Sequence, residues 1–349
     1  MIYYRDHKYS FEELFNENTG FLLRSNVIID GTESDMRVTK RSFPELIDIG
    51  IMGHCLAARD GLCQRAGVDC YQNATKNSNS NMTLQEYIHL INQCKGKTFQ
   101  VALGGAGDPN KHDEFEQILY ATRDNGIIPN LTTSGYLLTD KEINVMKEYC
   151  GAVGVSFYST LDETMKETNP QTISAIKSLV SAGCRVNIHY VLSTSSLKEA
   201  KKRLDNGLFP KGINAIVFLL YKSVGAGKRE KVIHRHDDAY IEFIKSINRF
   251  KSTYKIGFDT CQAPALVMHN KELCIDTIDF CEAARFSMYI DSNLVAYPCS
   301  FGYTQSVYSV NLNDISIETA WDSPQFELFR TRQDHSNSVG HSGCALNCI

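Results

Sequence analysis

From residue 46 to residue 250 the chain alternates between two hydrophobic periods. Apolar runs of strand length fall at 46–52, 99–103, 127–133, 152–158, 185–192 and 215–221. Between and after them lie amphipathic stretches of about three turns or more, at 84–94, 114–125, 140–149, 172–182, 197–206 and 238–250. Alternating β and α units predict a parallel sheet with helices packed outside it. Six such units fit a doubly wound sheet or a partial (β/α) barrel. Polar residues collect at strand ends, at Gly104-Gly105, Thr132-Thr133-Ser134-Gly135, Ser156 and Asn187/His189. In parallel α/β folds that edge carries the ligands.

The pattern breaks near residue 255. Beyond it come Cys261, Cys274, Cys281, Cys299, Cys344 and Cys348, and a stretch at 286–297 that reads as a β-hairpin turning at Asp291-Ser-Asn. Short elements clipped by cysteines suggest a small second domain stabilised by metal. The expected organisation is an N-terminal extension over 1–42, an α/β barrel over 43–254 and a cysteine-rich domain over 255–349.

Composition narrows the class. With 349 residues, 43% hydrophobic and 22% charged, the chain can bury a sizeable core. A net charge of −4 gives no overall attraction to nucleic acid or to an anionic membrane. No apolar run approaches the ~20 residues of a spanning helix. Charges at Arg5, Asp6 and Lys8 stand where a signal peptide would be apolar. A cytoplasmic setting with reduced thiols follows, so the cysteines read as metal ligands rather than disulfides.

Cys55, Cys63 and Cys70 lie directly after the first strand-like run, spaced C-x7-C-x6-C. A four-iron cluster held by three thiolates keeps one iron open for a ligand. Zinc is the competing occupant, with His54 or Asp69 as fourth donor. In Gly104-Gly-Ala-Gly-Asp-Pro109 the glycines let backbone approach an amino-acid group, and Asp108 can accept from its ammonium. Thr133, Ser134 and Ser156 offer hydroxyls at strand ends. Asn187 and His189 alternate along one strand and so share a face. The basic stretch Lys222, Lys228, Arg229, Lys231 and Arg235 reads as a solvated loop that can also steer an acidic group.

In order and type, these features resemble the radical S-adenosylmethionine (SAM) superfamily with a C-terminal SPASM or twitch-like extension, over about residues 43–349. The resemblance rests on the cysteine loop after the first strand and on Gly104-Gly-Ala-Gly-Asp-Pro109 after the second. It rests also on Asn130-Leu-Thr-Thr-Ser-Gly135, Ser156 in Val153-Gly-Val-Ser-Phe-Tyr158, and Cys281 to Cys299 followed by Trp321 and Cys344-x3-Cys348. The superfamily's usual spacing is C-x3-C-x2-C. The longer loops here still allow convergence, because closing a few extra residues costs only roughly tenths of a kcal/mol. Where many members carry an aromatic before the third cysteine, this chain has Asp69, and Tyr71 is the substitute for the adenine-side contact.

What the resemblance implies is concrete. The fold would be a partial (β/α)6 TIM-like barrel with a small C-terminal α+β iron–sulfur domain. Cys55, Cys63 and Cys70 would hold the SAM-binding [4Fe-4S] cluster, with Gly104, Gly105, Asp108, Thr133, Ser134, Ser156, Asn187 and His189 around S-adenosylmethionine. One auxiliary [4Fe-4S] cluster would take Cys281, Cys299, Cys344 and Cys348, with Cys261 competing with Cys344 for one place. Reductive SAM cleavage to a 5′-deoxyadenosyl radical would abstract hydrogen from a peptide or protein. A small-molecule dehydrogenase or rearrangement enzyme is the alternative, and a zinc- or cluster-binding scaffold the non-enzymatic one. Implied partners are an electron donor such as flavodoxin or ferredoxin and, since 1–42 is short for a winged-helix module, a separate leader-peptide-binding protein.

Overall fold

A computed structural model describes residues 1–26, 28–29, 32–33, 39–76, 78–250, 252–338 and 344–346. Three antiparallel strands open the chain, β1 (Ile2–Asp6), β2 (Phe11–Phe15) and β3 (Leu22–Asn26), followed by the short pair β4 (Ile28–Ile29) and β5 (Thr32–Glu33). The alternating region then supplies β6 (Leu46–Met52), β7 (Gln100–Gly105), β8 (Ile128–Thr133), β9 (Val153–Ser156), β10 (Val186–Leu192) and β11 (Ala215–Leu220). These are the six expected strands. Their order in the sheet is their order in sequence, and every pair is parallel.

Helices follow as the periodicity requires. Two single turns, α1 (Leu56–Arg59) and α2 (Leu62–Arg65), sit inside the cysteine loop, and α3 (Leu84–Cys94) returns to the sheet. The next crossovers are α4 (Phe115–Asp124), α5 (Asp140–Tyr149), α6 (Pro170–Ala182) and α7 (Leu197–Asp205), and α8 (Asp238–Ser246) follows β11. Thr83 and Thr139 start α3 and α5 with complete capping boxes to Glu86 and Glu142, which satisfy otherwise orphaned N–H groups. The apolar stripes, such as Tyr87, Leu90, Ile91 and Cys94 of α3, pack on the outward-facing residues Ile47, Ile49, Val101 and Leu103 of the sheet.

Two features extend the expected six-unit barrel. A seventh parallel strand, β12 (Ile256–Phe258), adds beside β11; three residues are too few for an alternation to show in sequence. At the other edge the predicted hairpin forms as β13 (Ser287–Ile290) and β14 (Val295–Tyr297), with β15 (Val310–Asn311) beyond it. Strand β13 runs parallel to β6, placing Tyr289 level with Asp48. The cysteine-rich region thus continues the barrel sheet, which stays open between β12 and β13. Helices α9 (Ala263–His269), α10 (Ile317–Trp321) and α11 (Pro324–Ser338) complete the chain, with Trp321 fully buried and its indole N–H donating to the Arg41 carbonyl at 2.8 Å.

Residues 1–26 close the amino-terminal end of the barrel. Phe15 stacks on Phe99 at 5.0 Å and both pack on Ile128, at the starts of β7 and β8. Buried Arg41 pairs with Glu13 at 2.9 Å, and Arg24 pairs with Glu45 at 2.5 Å and Glu282 at 2.7 Å. Ligands therefore reach the interior from the carboxyl ends of the strands.

Candidate active site

The cysteine loop leaves β6 at that open end. Cys55 caps α1, its sulfur accepting from the Ala58 N–H at 3.3 Å. Gly61, at φ +77°, turns the chain into α2, which carries Cys63. Cys55, Cys63 and Cys70 then gather around Ala58, Ala74 and Ala106. Burial pushes the Cys63 thiol up to about 12, and Cys55, Cys70 and Asp108 push it in the same direction, so the other two cysteines lie within electrostatic reach of it. Burial raises Cys55 as well, with Asp108 and Cys70 again contributing.

A strap after β11 fixes the third cysteine. The Ala226 N–H donates to the Cys70 carbonyl at 3.0 Å, and Gly225 lies so close that a β-carbon would stand 2.1 Å from the Tyr71 carbonyl oxygen. Asp69 receives Tyr221 Oη–H at 2.8 Å and Lys231 at 2.5 Å. Burial alone would raise this carboxyl; the hydrogen bonds from Lys231 and Tyr221 outweigh it and hold it below the usual range. The expected basic stretch is thereby partly structural: Lys231 ties down Asp69, and buried Lys222 pairs with Asp259.

The glycine-rich turn after β7 packs directly under the loop. A β-carbon on Gly107 would be 2.3 Å from the His54 carbonyl oxygen, and one on Gly105 would be 2.4 Å from that of Met52. At Gly104 the equivalent position meets no atom within 4 Å, so the inward face of β7 is open there. Asp108 does not project into that opening freely. Its carboxylate accepts from the Ser134 N–H at 2.8 Å and the Ser134 hydroxyl at 2.5 Å, clamping the β7 turn to the β8 turn. Thr133 accepts from the Gly135 N–H at 3.0 Å. Ser156 ends β9, level with His189.

His189 lies inside the barrel, its ring against Gly154 and its Nδ1 3.5 Å from the Thr132 hydroxyl. Burial lowers its pKa to about 4, so it is neutral at physiological pH. Asn187 sits two residues deeper, level with Gly154, and accepts from Asn214 Nδ2 at 2.7 Å. The site thus brings Gly104, Gly105, Asp108, Thr133, Ser134 and Ser156 to the mouth, while Asn187 belongs to the amino-terminal half of the barrel. Sequence reasoning passed over Asp48, a lone carboxylate in the otherwise apolar run Leu46–Met52, which itself was the available signal.

A second group of cysteines forms at the open seam. Cys261 follows β12, Cys281 precedes β13, Cys299 follows β14, and Cys344 comes from the C-terminal segment. Cys261 is raised well above an ordinary thiol, chiefly by burial, and Cys281 and Cys299 add to the effect. Burial likewise pushes Cys299 up to about 12, with Cys281 and Cys344 contributing. Cys261 and Cys344, which the sequence left as alternatives, are therefore each within electrostatic reach of Cys281 and Cys299. Cys348 lies outside the described residues, and Cys274 is exposed. Cys94, Cys150 and Cys184 stand apart on the helical layer.

The two cysteine groups touch through aromatic side chains. Tyr71 packs on Phe301 with ring centroids 5.1 Å apart, and the Tyr303 hydroxyl donates to the Tyr71 carbonyl at 2.5 Å. Among the described residues no group of three His, Cys, Asp or Glu side chains is drawn in tightly enough for a single metal ion. A single zinc needs thiolates within about 4 Å of one another, whereas a cluster takes one at each of several irons. The all-thiol donor sets, together with the opening at Gly104, fit iron–sulfur clusters and a ligand beside the first of them.

The chain matches solved structures of the same parallel partial-barrel fold over most of its length. The Streptococcus suis SuiB structure bound to precursor peptide SuiA aligns with a TM-score of 0.65 at 16% identity, covering 88% of this chain and 71% of that one. SuiB bound to S-adenosylmethionine aligns at 0.63 and 17% identity, covering 88% and 72%. Native anSMEcpe with bound AdoMet and Cp18Cys peptide aligns at 0.56 and 16% identity, covering 82% of each chain. No protein-family model and no curated protein sequence gives a significant match. At these identities the likeness establishes the fold. Among the described residues no helix is long and apolar enough to cross a membrane.

Proposed function

We propose that this chain is a radical SAM enzyme that abstracts hydrogen from a peptide or protein substrate. The observation that carries the reading is the gathering of Cys55, Cys63 and Cys70, held by the 222–231 strap, at the mouth of a barrel whose inward face is open at Gly104. Burial holds these thiols in their neutral form, and binding to iron would favour the thiolates they would otherwise resist forming. When bound, a [4Fe-4S] cluster supplies an open iron for SAM and the electron that cleaves it to methionine and a 5′-deoxyadenosyl radical.

In this reading each residue has a definite task. Gly104 and Gly105 let the β7 backbone approach the amino-acid end of SAM. Asp108 acts through Ser134, holding the two turns in register, Ser156 presents a hydroxyl at the rim, and fully buried Thr133 supports the β8 turn by accepting from the Gly135 N–H rather than meeting the ligand. His189, neutral and buried, lines the interior below them. Cys261, Cys281, Cys299 and Cys344 hold one auxiliary cluster, with Cys348 the remaining candidate from the sequence.

Support for a peptide comes from two sides. SuiB and anSMEcpe are structures with bound peptides. Here a cavity of about 340 Å3, lined by residues including Gly225, Arg229, Phe301, Thr304 and Gln305, opens between the strap and the C-terminal segment. That volume is in the range of ligand pockets, about 300–1,000 Å3. The reading includes a reducing cytoplasmic setting, a flavodoxin- or ferredoxin-like electron donor and a separate leader-peptide-binding protein.

The test is anaerobic reconstitution with iron and sulfide, reduction, addition of SAM and assay of 5′-deoxyadenosine. Production that disappears in the Cys55, Cys63 and Cys70 triple alanine variant supports the proposal. Bound zinc without sulfide, and no cleavage, would overturn it in favour of a metal-binding scaffold.

A further inference from the structure

Strand β6 carries one carboxylate into the barrel. Asp48 shares the inward row with Tyr289 on β13 and Ala102 on β7. Above it on the same row stands Gly50, where the Tyr289 hydroxyl occupies the place of a side chain, 2.5 Å from an ideal β-carbon. The Tyr289 hydroxyl in turn accepts from Gln72 Nε2 at 3.3 Å, linking this row to the cysteine loop. Asp48 therefore faces the same space as the residues next to the first cysteine group.

Nothing in the fold uses this carboxylate. Among the described residues none donates a hydrogen bond to it and no cation pairs with it; Glu282, the nearest charge acting on it, is also acidic. Burial, and secondarily Glu282, raises its pKa to about 7. Other acids of the fold are engaged: Glu13 pairs with Arg41, Glu45 with Arg24, and Asp108 accepts from Ser134. Asp48 is only partly buried, so its carboxylate stays open to the barrel interior rather than being sealed in the core. Ala102 and Gly104 on β7 leave room beside it, and the Tyr289 ring flanks the space, a setting that suits a cation.

We propose that Asp48 receives a cationic group of the substrate, an amine or a guanidinium, inside the barrel. The proposal rests on reading the interior as the place where the substrate reacts, and it makes Asp48 a specificity-determining residue for lysine-like or arginine-like side chains. The test uses the iron-loaded protein with SAM and three probes, N-acetyl-lysine amide, N-acetyl-arginine amide and the neutral N-acetyl-norleucine amide, with binding read by calorimetry. A charged hydrogen-bonded pair worth about 1.5–3 kcal/mol predicts at least about tenfold tighter binding of one cationic probe than of norleucine amide. Asp48→Asn should abolish that preference while leaving substrate-free 5′-deoxyadenosine formation unchanged.

Equal affinity for charged and neutral probes in the wild-type protein would overturn the proposal, as would binding of neither cation, or a preference that survives in Asp48→Asn. The wild-type comparison holds even if the variant folds poorly. Failure of the underlying radical reading shows separately, as absence of 5′-deoxyadenosine from the wild-type enzyme.

Discussion

Replacing Gly225 with alanine isolates the strap that closes the cysteine loop. Gly225 has φ +65°, a left-handed conformation that costs an alanine about 1–2 kcal/mol. Its β-carbon would lie 2.1 Å from the Tyr71 carbonyl oxygen and 2.9 Å from that of Cys70. Those are backbone atoms, so no rotamer change relieves the collision and one segment must move. The hydrogen bond from Ala226 to Cys70 goes with it, at about 1 kcal/mol. The sum of about 2–3 kcal/mol falls on a local opening rather than on the core. Amide exchange over residues 222–231, followed by mass spectrometry, should therefore accelerate by on the order of 30–150-fold. Iron retained after reconstitution and desalting should fall in parallel. Unchanged exchange in that segment together with full iron content would refute the view that the strap holds Cys70 in place.

Three further outcomes are expected. Gly104→Val places its side chain in open space at a backbone angle outside the left-handed region, so urea stability should stay within about 0.5 kcal/mol while SAM affinity of the iron-loaded protein drops at least about tenfold; unaltered affinity would remove Gly104 from the ligand site. Cys261→Ala and Cys344→Ala should each lower bound iron, and exposed Cys274→Ala should not, as measured colorimetrically on reconstituted protein. Asp48, raised to about 7 in the folded chain from the ordinary aspartate value near 4, stays protonated while the unfolded chain ionises, so it removes stability as pH rises from about 4 to 7. Asp48→Asn lacks that penalty, and its stability advantage in denaturant titrations should be larger at pH 8 than at pH 5.5; a constant difference would show that the Asp48 carboxyl is not raised as described.

The strands and helices of the barrel were legible because each buries one face on a repeating period, and all twelve expected elements form within a few residues of their expected bounds. The cysteine loop was legible because thiols after a first strand have few structural uses. Strands β1 to β3 were not. Their inward residues, such as Phe11, Glu13 and Phe15, include a buried ion pair that reads as surface charge in sequence. Asp108 was legible as a polar residue at a strand end, but its partner Ser134 comes from the next turn, a juxtaposition that only the register of β7 and β8 creates. For the same reason the sequence left Cys261 and Cys344 as rivals: spacing along the chain cannot show that one sheet edge and the C-terminal segment converge.

That convergence bears on why the chain carries a second cysteine group at all. A closed barrel has no free edges, whereas this sheet stops at β12 on one side and turns into an antiparallel hairpin beyond β13 on the other. Cys261 stands just past the first edge, and Cys281 and Cys299 flank the hairpin of the second. A cluster bound by these thiols would cross-link the two sides of the seam, as metal binding commonly contributes folding energy in small cysteine-rich units. The Tyr71–Phe301 contact and the Tyr303 hydrogen bond then connect that cross-link to the segment directly after Cys70. Loss of iron at the seam should accordingly loosen the first cysteine loop as well. On the proposed reading, a cluster at the second group would thus support the first through these contacts, apart from any electron-carrying role.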